Sequence, residues 1–203
     1  MLPLLLLLSL QPVLLDRLVA NVGGQPIMLS DLRAARALEL VPGASSLDDR
    51  TLTERLIDRE LMRAEVDRFS MTVPDRAEVE ARLEEVQRRL PEGLERTVAL
   101  DRLGLSPGRL RAWIEDDLRI ERYLQQRFEA AAQPSDEEVL TFYRSHEREF
   151  LKDGRPQPFE VVREEARARL AAERRAALIA EWLAGLRRRA TVVLVGADTR
   201  SGS

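Results

Sequence analysis

The last apolar segment of the chain, residues 191–195, limits the possible folds more than any other part of the sequence. Its β-branched, apolar residues are typical of a strand covered on both faces. The matching segments lie at the opposite end, where residues 19–22 and 27–29 flank Gly23 and Gly24, and two glycines suit a tight hairpin. Because a lone hairpin is marginally stable and three strands are safer, the sequence predicts one small antiparallel sheet joining both chain ends.

Helical signals fill most of the sequence between these strands. Apolar residues recur at steps of three and four, as on the buried face of a helix. Helix starts are predicted at Ser30-Asp31, Ser46, Pro74, Leu94, Ser106-Pro107, the capping box Ser135 to Glu138, and Phe159. The corresponding helices end near residues 41, 69, 90, 103, 128, 150 and 189. We therefore expect a mostly α fold with a small antiparallel sheet.

The composition excludes several classes of protein. Hydrophobic residues make up 44% of the chain and charged residues 33%, as in a folded protein with a charged surface. Aromatic residues make up only 4%, which argues against a large β-sandwich. The net charge is −3, whereas a protein that neutralises many phosphates normally has a basic excess. The sequence thus argues against nucleic acid as a partner.

The sequence offers little for catalysis. It contains no cysteine and one histidine, which removes thiolate chemistry and nearly all histidine-based metal sites and triads. His146 is interpreted as a surface residue near a helix end. The adjacent acids Asp116 and Asp117, and likewise Glu84 and Glu85, are predicted to lie on solvated helix faces, because neighbours in a helix point in different directions. We expect no catalytic residue, no metal and no cofactor.

The N-terminal residues 2–15 form an almost continuous apolar run without a charge. As a helix this run would rise about 21 Å, short of the roughly 30 Å core of a bilayer, so we expect no stable membrane span. Its length is typical of the apolar region of a signal peptide, which predicts export. An uncleaved anchor and a buried apolar arm are the alternatives. At the other end, residues 196–203 are predicted to be a disordered tail.

From residues 19–32 at the N-terminal hairpin to residues 182–195 at the end of the last helix and strand, the order of the motifs resembles that of SurA-like periplasmic chaperones and related exported parvulin-type foldases. Residues 19–32 resemble the opening of that family, a strand, a turn and a strand that ends in Ser-Asp-Leu before a helix; Gly23 stands where Asn is usual. Residues 56–61, Leu-Ile-Asp-Arg-Glu-Leu, are similar to a run of the same family. Further similar segments are residues 118–128, 135–139, 158–163 and 182–195.

The resemblance implies a chaperone core without its catalytic module. In the family, parvulin prolyl-isomerase domains with paired histidines usually interrupt the chain before the closing helix. Here the corresponding gap, residues 151–158, has only eight residues. The implied division is a signal peptide or apolar segment at 1–15, a SurA-like domain at 16–195 with closing helix 159–189 and strand 191–195, and the tail.

The implied function is that of a non-enzymatic holdase. Family members hold unfolded outer-membrane protein segments in an apolar cleft, in the periplasm of a Gram-negative type of cell envelope. Thioether and aromatic side chains adapt to varied apolar partners, so candidate contacts with unfolded clients or peptides are Met28, Met62, Met71, Trp113 and Tyr123. Most of them also lie on predicted core stripes, so packing is the alternative role of each, and for Trp113 we expect a buried ring.

Two other functions stay open on the sequence. The chain could be a prolyl isomerase or an accessory to one, or it could be an assembly protein that docks one specific partner through the same cleft. The sequence determines neither the client nor the oligomeric state.

Overall fold

Seven α-helices and five short strands make up the part of the chain that the structure, a computed structural model, describes: residues 16–69 and 73–195. The strands are β1 (Leu18–Val22), β2 (Gln25–Met28), β3 (Leu151–Lys152), β4 (Arg155–Pro156) and β5 (Val192–Leu194). The helices are α1 (Leu29–Leu38), α2 (Asp49–Val66), α3 (Arg76–Gln87), α4 (Leu94–Arg102), α5 (Pro107–Ala132), α6 (Asp136–Ser145) and α7 (Phe159–Arg189). The mostly α prediction is confirmed.

The two ends of the chain meet in one antiparallel sheet with the strand order β2-β1-β5. In its register, Ala20 of β1 lies opposite Leu194 of β5 and opposite Ile27 of β2. Gly23 and Gly24 form the hairpin turn with φ angles of 58° and 95°, a region that favours glycine. The predicted sheet built from both chain ends is therefore confirmed.

The burial of β5 differs from the prediction. Val193 and Leu194 are 52% and 58% exposed, and only Val192 packs against the core beneath the sheet. The expectation that this strand is covered on both faces is wrong, because β5 lies at the edge of the sheet while α1 and α2 pack against β1 and β2. A β-branched run predicts a strand, but it does not predict how many of its faces are covered.

Helix α7 contributes side chains to three hydrophobic clusters of the fold. Helices α2, α5 and α6 all pack against it, and Leu186 near its C-terminus joins the core beneath the sheet. Val162 and Ala166, near its N-terminus, are buried against α6. The predicted bounds of this helix, residues 159–189, are confirmed. One long helix thus connects the sheet to the opposite end of the fold.

Two of the predicted helix caps are confirmed and two are wrong. The hydroxyls of Ser106 and Ser135 accept the backbone N–H groups of Arg109 and Glu138, at 3.2 and 3.3 Å. Helix α1 instead begins at Leu29, directly after β2, so Ser30 is already helical and its side chain hydrogen-bonds to Asp16.

The start of α2 also moves from its predicted position. Ser46 lies in a single 3₁₀ turn, and its hydroxyl donates to the carbonyl oxygen of Gly43. Asp48 takes the capping role, accepting the N–H of Thr51 at 2.7 Å. Ser30 and Ser46 each precede apolar residues at helical spacing, as a true N-cap residue does. The local sequence alone therefore did not predict that neither serine caps its helix.

Helix α6 is shorter than predicted, so the segment between α6 and α7 is longer. Helix α6 ends at Ser145 instead of near residue 150, and Phe150 folds back into the cluster between α6 and α7. Strands β3 and β4 then form a two-stranded hairpin. The Nδ1 atom of His146 lies 2.9 Å from the Phe142 carbonyl oxygen, and its ring stacks on Phe142. This histidine therefore closes the end of α6.

We predict that deletion of residues 190–203 destabilises the whole domain. The truncation removes β5, its ladder with β1 and the partly buried Val192, which together correspond to about 2–4 kcal/mol of unfolding free energy. Urea unfolding followed by circular dichroism measures the change. The control is a chain that ends at Val195, which keeps the contacts of β5 with residues 16–195 and should unfold at the same midpoint as the full chain. An unchanged midpoint for the longer deletion would contradict the role of the pairing.

Candidate functional site

An open apolar cavity of about 410 Å³ lies between α2, α5 and α7, next to the turn that follows α1. We call it the Met62 cavity. Its apolar walls are formed by Leu40, Val41, Pro42, Met62, Ile120, Leu124, Ile179 and Leu183. Its charged boundary is formed by Glu39, Arg55, Asp58, Arg59, Arg82, Asp117 and Glu121. A pocket with apolar walls and a charged boundary is the usual form of a site that binds apolar groups.

Helical spacing explains how three helices contribute to this cavity. Ile120 and Leu124 are four residues apart on α5, and Ile179 and Leu183 are four apart on α7, so each pair presents two consecutive turns of one face. Met62 reaches in from α2. Its flexible thioether chain fills irregular space and adapts to different neighbours.

An aromatic cluster lies behind one end of the Met62 cavity. Tyr123 contacts Met62, Trp182 and Val66, and its ring centroid is 5.4 Å from that of Phe69 and 5.7 Å from that of Trp182. Tyr123 is only 5% exposed, whereas Phe69 is 45% exposed. The structure thus brings the two candidate residues Met62 and Tyr123 together, with Met62 at the cavity wall and Tyr123 packed behind it.

Trp113 borders a second, smaller cavity of about 210 Å³ between α2, α5 and β2. Its ring packs partly against the core beneath the sheet, and the guanidinium of Arg59 lies 4.0 Å from its centroid. The indole Nε1 is buried without a hydrogen-bond partner in the described part of the chain. Trp113 is therefore half-buried, whereas the sequence predicted a buried ring. It packs against the core on one side and forms a cavity wall on the other.

The Arg59 side chain forms the wall that the two cavities share. Its Nε donates to Oδ1 of Asp117 at 2.7 Å, and its Nη2 donates to the Trp113 carbonyl oxygen at 3.0 Å. Asp117 and Trp113 are four residues apart on α5, so one arginine of α2 can reach both. This arrangement holds α2 and α5 in register where the cavities meet.

The carboxyl group of Asp117 is the most perturbed acid of the Met62 cavity. Its pKa is raised from 3.8 to about 6: burial raises it most and the nearby acids Glu121 and Asp116 raise it as well, while the charge and hydrogen bond of Arg59 offset only part of this. Its side chain is 25% exposed. The Asp116 side chain is similarly covered, at 26% exposed, so the prediction that Asp116 and Asp117 lie on a solvated face is wrong for both, because α2 packs directly over this part of α5.

The remaining predicted contact residues lie elsewhere. Met28 ends β2, half-buried, and borders neither cavity. Met71 lies outside the described residues, as do the predicted apolar segment 1–15 and the tail 196–203. Sequence reasoning missed Arg59, although it lies within the Leu-Ile-Asp-Arg-Glu-Leu run at residues 56–61 that resembles the chaperone family.

Two features are absent from the described part of the chain, residues 16–69 and 73–195. These residues contain no group of three or more acidic or histidine side chains placed to hold a metal ion. None of the helices in these ranges combines the length and the apolar character that crossing a membrane requires.

We predict that Trp113→Ala lowers the free energy of unfolding by about 3 kcal/mol, the lower end for a large aromatic residue, because only part of the ring is buried. Trp113→Phe should cost less than about 1 kcal/mol, since it keeps an aromatic ring beneath Arg59 and removes the unpaired N–H donor. Chemical unfolding of both variants measures the difference. Equal losses of unfolding free energy in the two variants would show that the aromatic ring of Trp113 does not account for its contribution to stability.

The comparisons with known proteins support the fold. Neither protein-family models nor curated protein sequences give a match. Among solved structures, the fold is similar to a chain from work on the virulence factor PEB4 and the periplasmic protein Cj1289, described as two structurally related SurA-like chaperones in the human pathogen Campylobacter jejuni. The TM-score is 0.55 at 13% identity, over 89% of this chain and 100% of that chain. The chain therefore has the fold of a SurA-like chaperone core.

Proposed function

We propose that this chain is a holdase-type chaperone that binds unfolded protein segments, including those of outer-membrane proteins, without catalysis. The single observation that carries the proposal is the Met62 cavity, an open apolar site built by three helices of a SurA-like fold. Apolar side chains of an unfolded client enter this cavity, and the charged outer surface keeps the complex in solution.

The size of the cavity sets the strength of one contact. About 410 Å³ accommodates a few apolar side chains, and burial of one leucine-sized side chain corresponds to roughly 2 kcal/mol. Ordering a disordered segment and immobilising its side chains offsets much of this gain. Binding through this cavity alone is therefore weak and tolerant of sequence, as a general holdase requires.

Client contacts extend beyond this cavity in our proposal. Met62 contacts the client directly, and Tyr123 supports it from behind through the aromatic cluster. Trp113 forms a second contact point in the smaller cavity on the other side of Arg59. Met28 and Met71 add further apolar contacts. Contacts spread over several weak positions fit a chaperone with many clients better than one deep pocket does.

The proposed compartment is the periplasm of a Gram-negative type of envelope. Its support is the apolar run at residues 2–15, interpreted as a signal peptide, and the description of Cj1289 as periplasmic. Residues 16–195 then form one chaperone domain, closed by α7 and β5.

We predict that the chain suppresses aggregation of a denatured outer-membrane porin diluted from urea, measured by light scattering. Met62→Glu places a charge in the apolar wall, so about three times more protein should be needed for the same suppression; this corresponds to less than 1 kcal/mol, as expected for one of several contacts. The matched control is Val161→Glu. This introduces the same charge on α7 at an apolar residue that is 70% exposed and borders neither cavity.

Three other results of this assay would change the proposal. No suppression by the unmodified chain would reject the holdase function. Equal effects of Met62→Glu and Val161→Glu would reject the Met62 cavity as the site. Complete loss of activity in folded Met62→Glu, together with binding to one folded partner and not to unfolded porins, would favour the specific docking protein instead.

We predict no prolyl-isomerase activity above background in a proline-limited peptide assay. Residues 151–158, where the resemblance to parvulin-type foldases places the catalytic domain, contain the short hairpin of β3 and β4. The one histidine of the chain, His146, is held against the backbone and ring of Phe142. Acceleration of the assay that disappears in His146→Ala would overturn this prediction and restore the isomerase alternative.

A further inference from the structure

Asp117 places a titratable group at the boundary of the proposed client site. Its carboxylate borders the Met62 cavity and is bonded to Arg59, yet a quarter of its side chain is still in contact with solvent. Ile120 and Leu124, three and seven residues further along α5, form the wall of the same cavity. An apolar segment that fills the cavity therefore covers Asp117 as well.

Charged groups from three helices, and from the segments that follow α1 and α3, surround this carboxylate. Helix α2 contributes Arg59, with Arg55 and Asp58 at the same cavity, and α5 contributes Asp116 and Glu121. Helix α3 contributes Arg82 and Glu85, while Glu39 follows α1 and Arg89 follows α3; all four border a small adjoining cavity together with Asp117. Helix α7 brings only the apolar Ile179 and Leu183 to the Met62 cavity. Arg59 is the only one of these groups bonded to Asp117.

Removal of water from a carboxylate favours its neutral form, because the charged form loses more solvation than the neutral one. Burial already raises the pKa of Asp117 to about 6 in the open cavity. A bound apolar segment displaces the remaining solvent and brings no charge to compensate, so it raises this pKa further. Arg59 retains its bond to the Trp113 carbonyl oxygen when Asp117 is neutral, so the wall between the cavities persists.

We propose that binding of an apolar client segment in the Met62 cavity is coupled to protonation of Asp117. The cavity then holds such segments more tightly in mildly acidic solution than in neutral solution. The inference rests on the proposed function, because the segment is the client of the proposed holdase. By linkage the coupling is reciprocal: the segment raises the proton affinity of Asp117 by the same factor by which the proton raises the affinity for the segment.

The sign follows from the raised pKa. Well above pH 6 the carboxylate is charged in the open cavity. Binding of the segment must then either bury that charge or be accompanied by uptake of a proton, and both requirements weaken the binding. As the pH falls through about 6, Asp117 becomes protonated before binding and this opposing contribution disappears. Affinity therefore rises as the pH falls, until the carboxyl group is fully protonated.

Asp58 is the second buried acid of the same cavity and provides the matched control. Burial raises its pKa as well, but its carboxylate is bonded to Arg187, which is bonded in turn to Glu54. The two aspartates thus share the cavity, the helical setting and an arginine partner. Their neighbours differ: Asp117 lies on α5 with Ile120 and Leu124, whereas Asp58 lies on the face of α2 that contacts α7.

The test measures binding of a fluorescent, capped peptide of leucine, valine, serine and glycine, which has no ionisable group, to the full chain. Fluorescence anisotropy gives the dissociation constant at about pH 7.5 and about pH 5, either side of the titration. We expect about fivefold tighter binding at the lower pH for the unmodified chain, the low end of ordinary coupling between sites. Asp117→Asn should bind equally at both pH values, and Asp58→Asn should keep the fivefold difference.

A second measurement does not depend on any variant. Calorimetry of peptide binding near pH 6, in two buffers of different ionisation enthalpy, reports proton uptake by the unmodified chain, and uptake of a fraction of a proton is expected. Binding without proton uptake and without pH dependence would overturn the coupling and leave the proposed function intact. Loss of the pH dependence in Asp58→Asn alone would also overturn it. No binding at either pH would reject the Met62 cavity as a client site and the coupling with it.

Discussion

The antiparallel pairing of β1 with β5 is the constraint on which the rest of the structure depends. It joins the first and last elements of the described chain, and β5 directly follows α7. The C-terminus of α7 is thereby held at the sheet, where Leu186 enters the core, while its N-terminus is held by α6. Helices α2 and α5 pack against α7, which is held at both of its ends, and the Met62 cavity remains open between the three helices.

The Arg59–Asp117 pair differs from the surface ion pairs of this arginine-rich chain. Pairs such as Arg163–Glu160 and Arg36–Asp49 lie largely in solvent, where an ion pair contributes little to stability. Asp117 instead loses much of its hydration where α2 crosses α5, and Arg59 compensates only part of that loss, so its pKa stays raised. The pair costs stability at neutral pH but aligns two helices and gives the cavity a group that titrates near pH 6.

The local signals in the sequence predicted the elements well. Steps of three and four gave the bounds of α7, Ser106 and Ser135 cap the predicted helices, and Gly23 and Gly24 form the predicted turn. Each of these features depends on residues within about one helical turn of each other, so one segment contains all the information. The caps at Ser30 and Ser46 were wrong because nearby aspartates bond the backbone at the helix starts instead: Asp31 accepts the N–H of Met28, and Asp48 accepts the N–H of Thr51.

Burial could not be predicted in this way. Adjacent acids on a helix are usually solvated, and nothing near Asp117 in the sequence shows that α2 covers it; nor does the β-branched run at β5 show that the strand lies at an edge. Met62 and Tyr123 were named from their residue types, but only the fold places one at the cavity and the other behind it. The sequence by itself determined the order and local bounds of the helices and strands and the pairing of the chain ends. The tertiary structure alone decided which apolar faces and which charges are covered, because exposure depends on where α2, α5 and α7 cross, and those contacts join residues far apart in the chain.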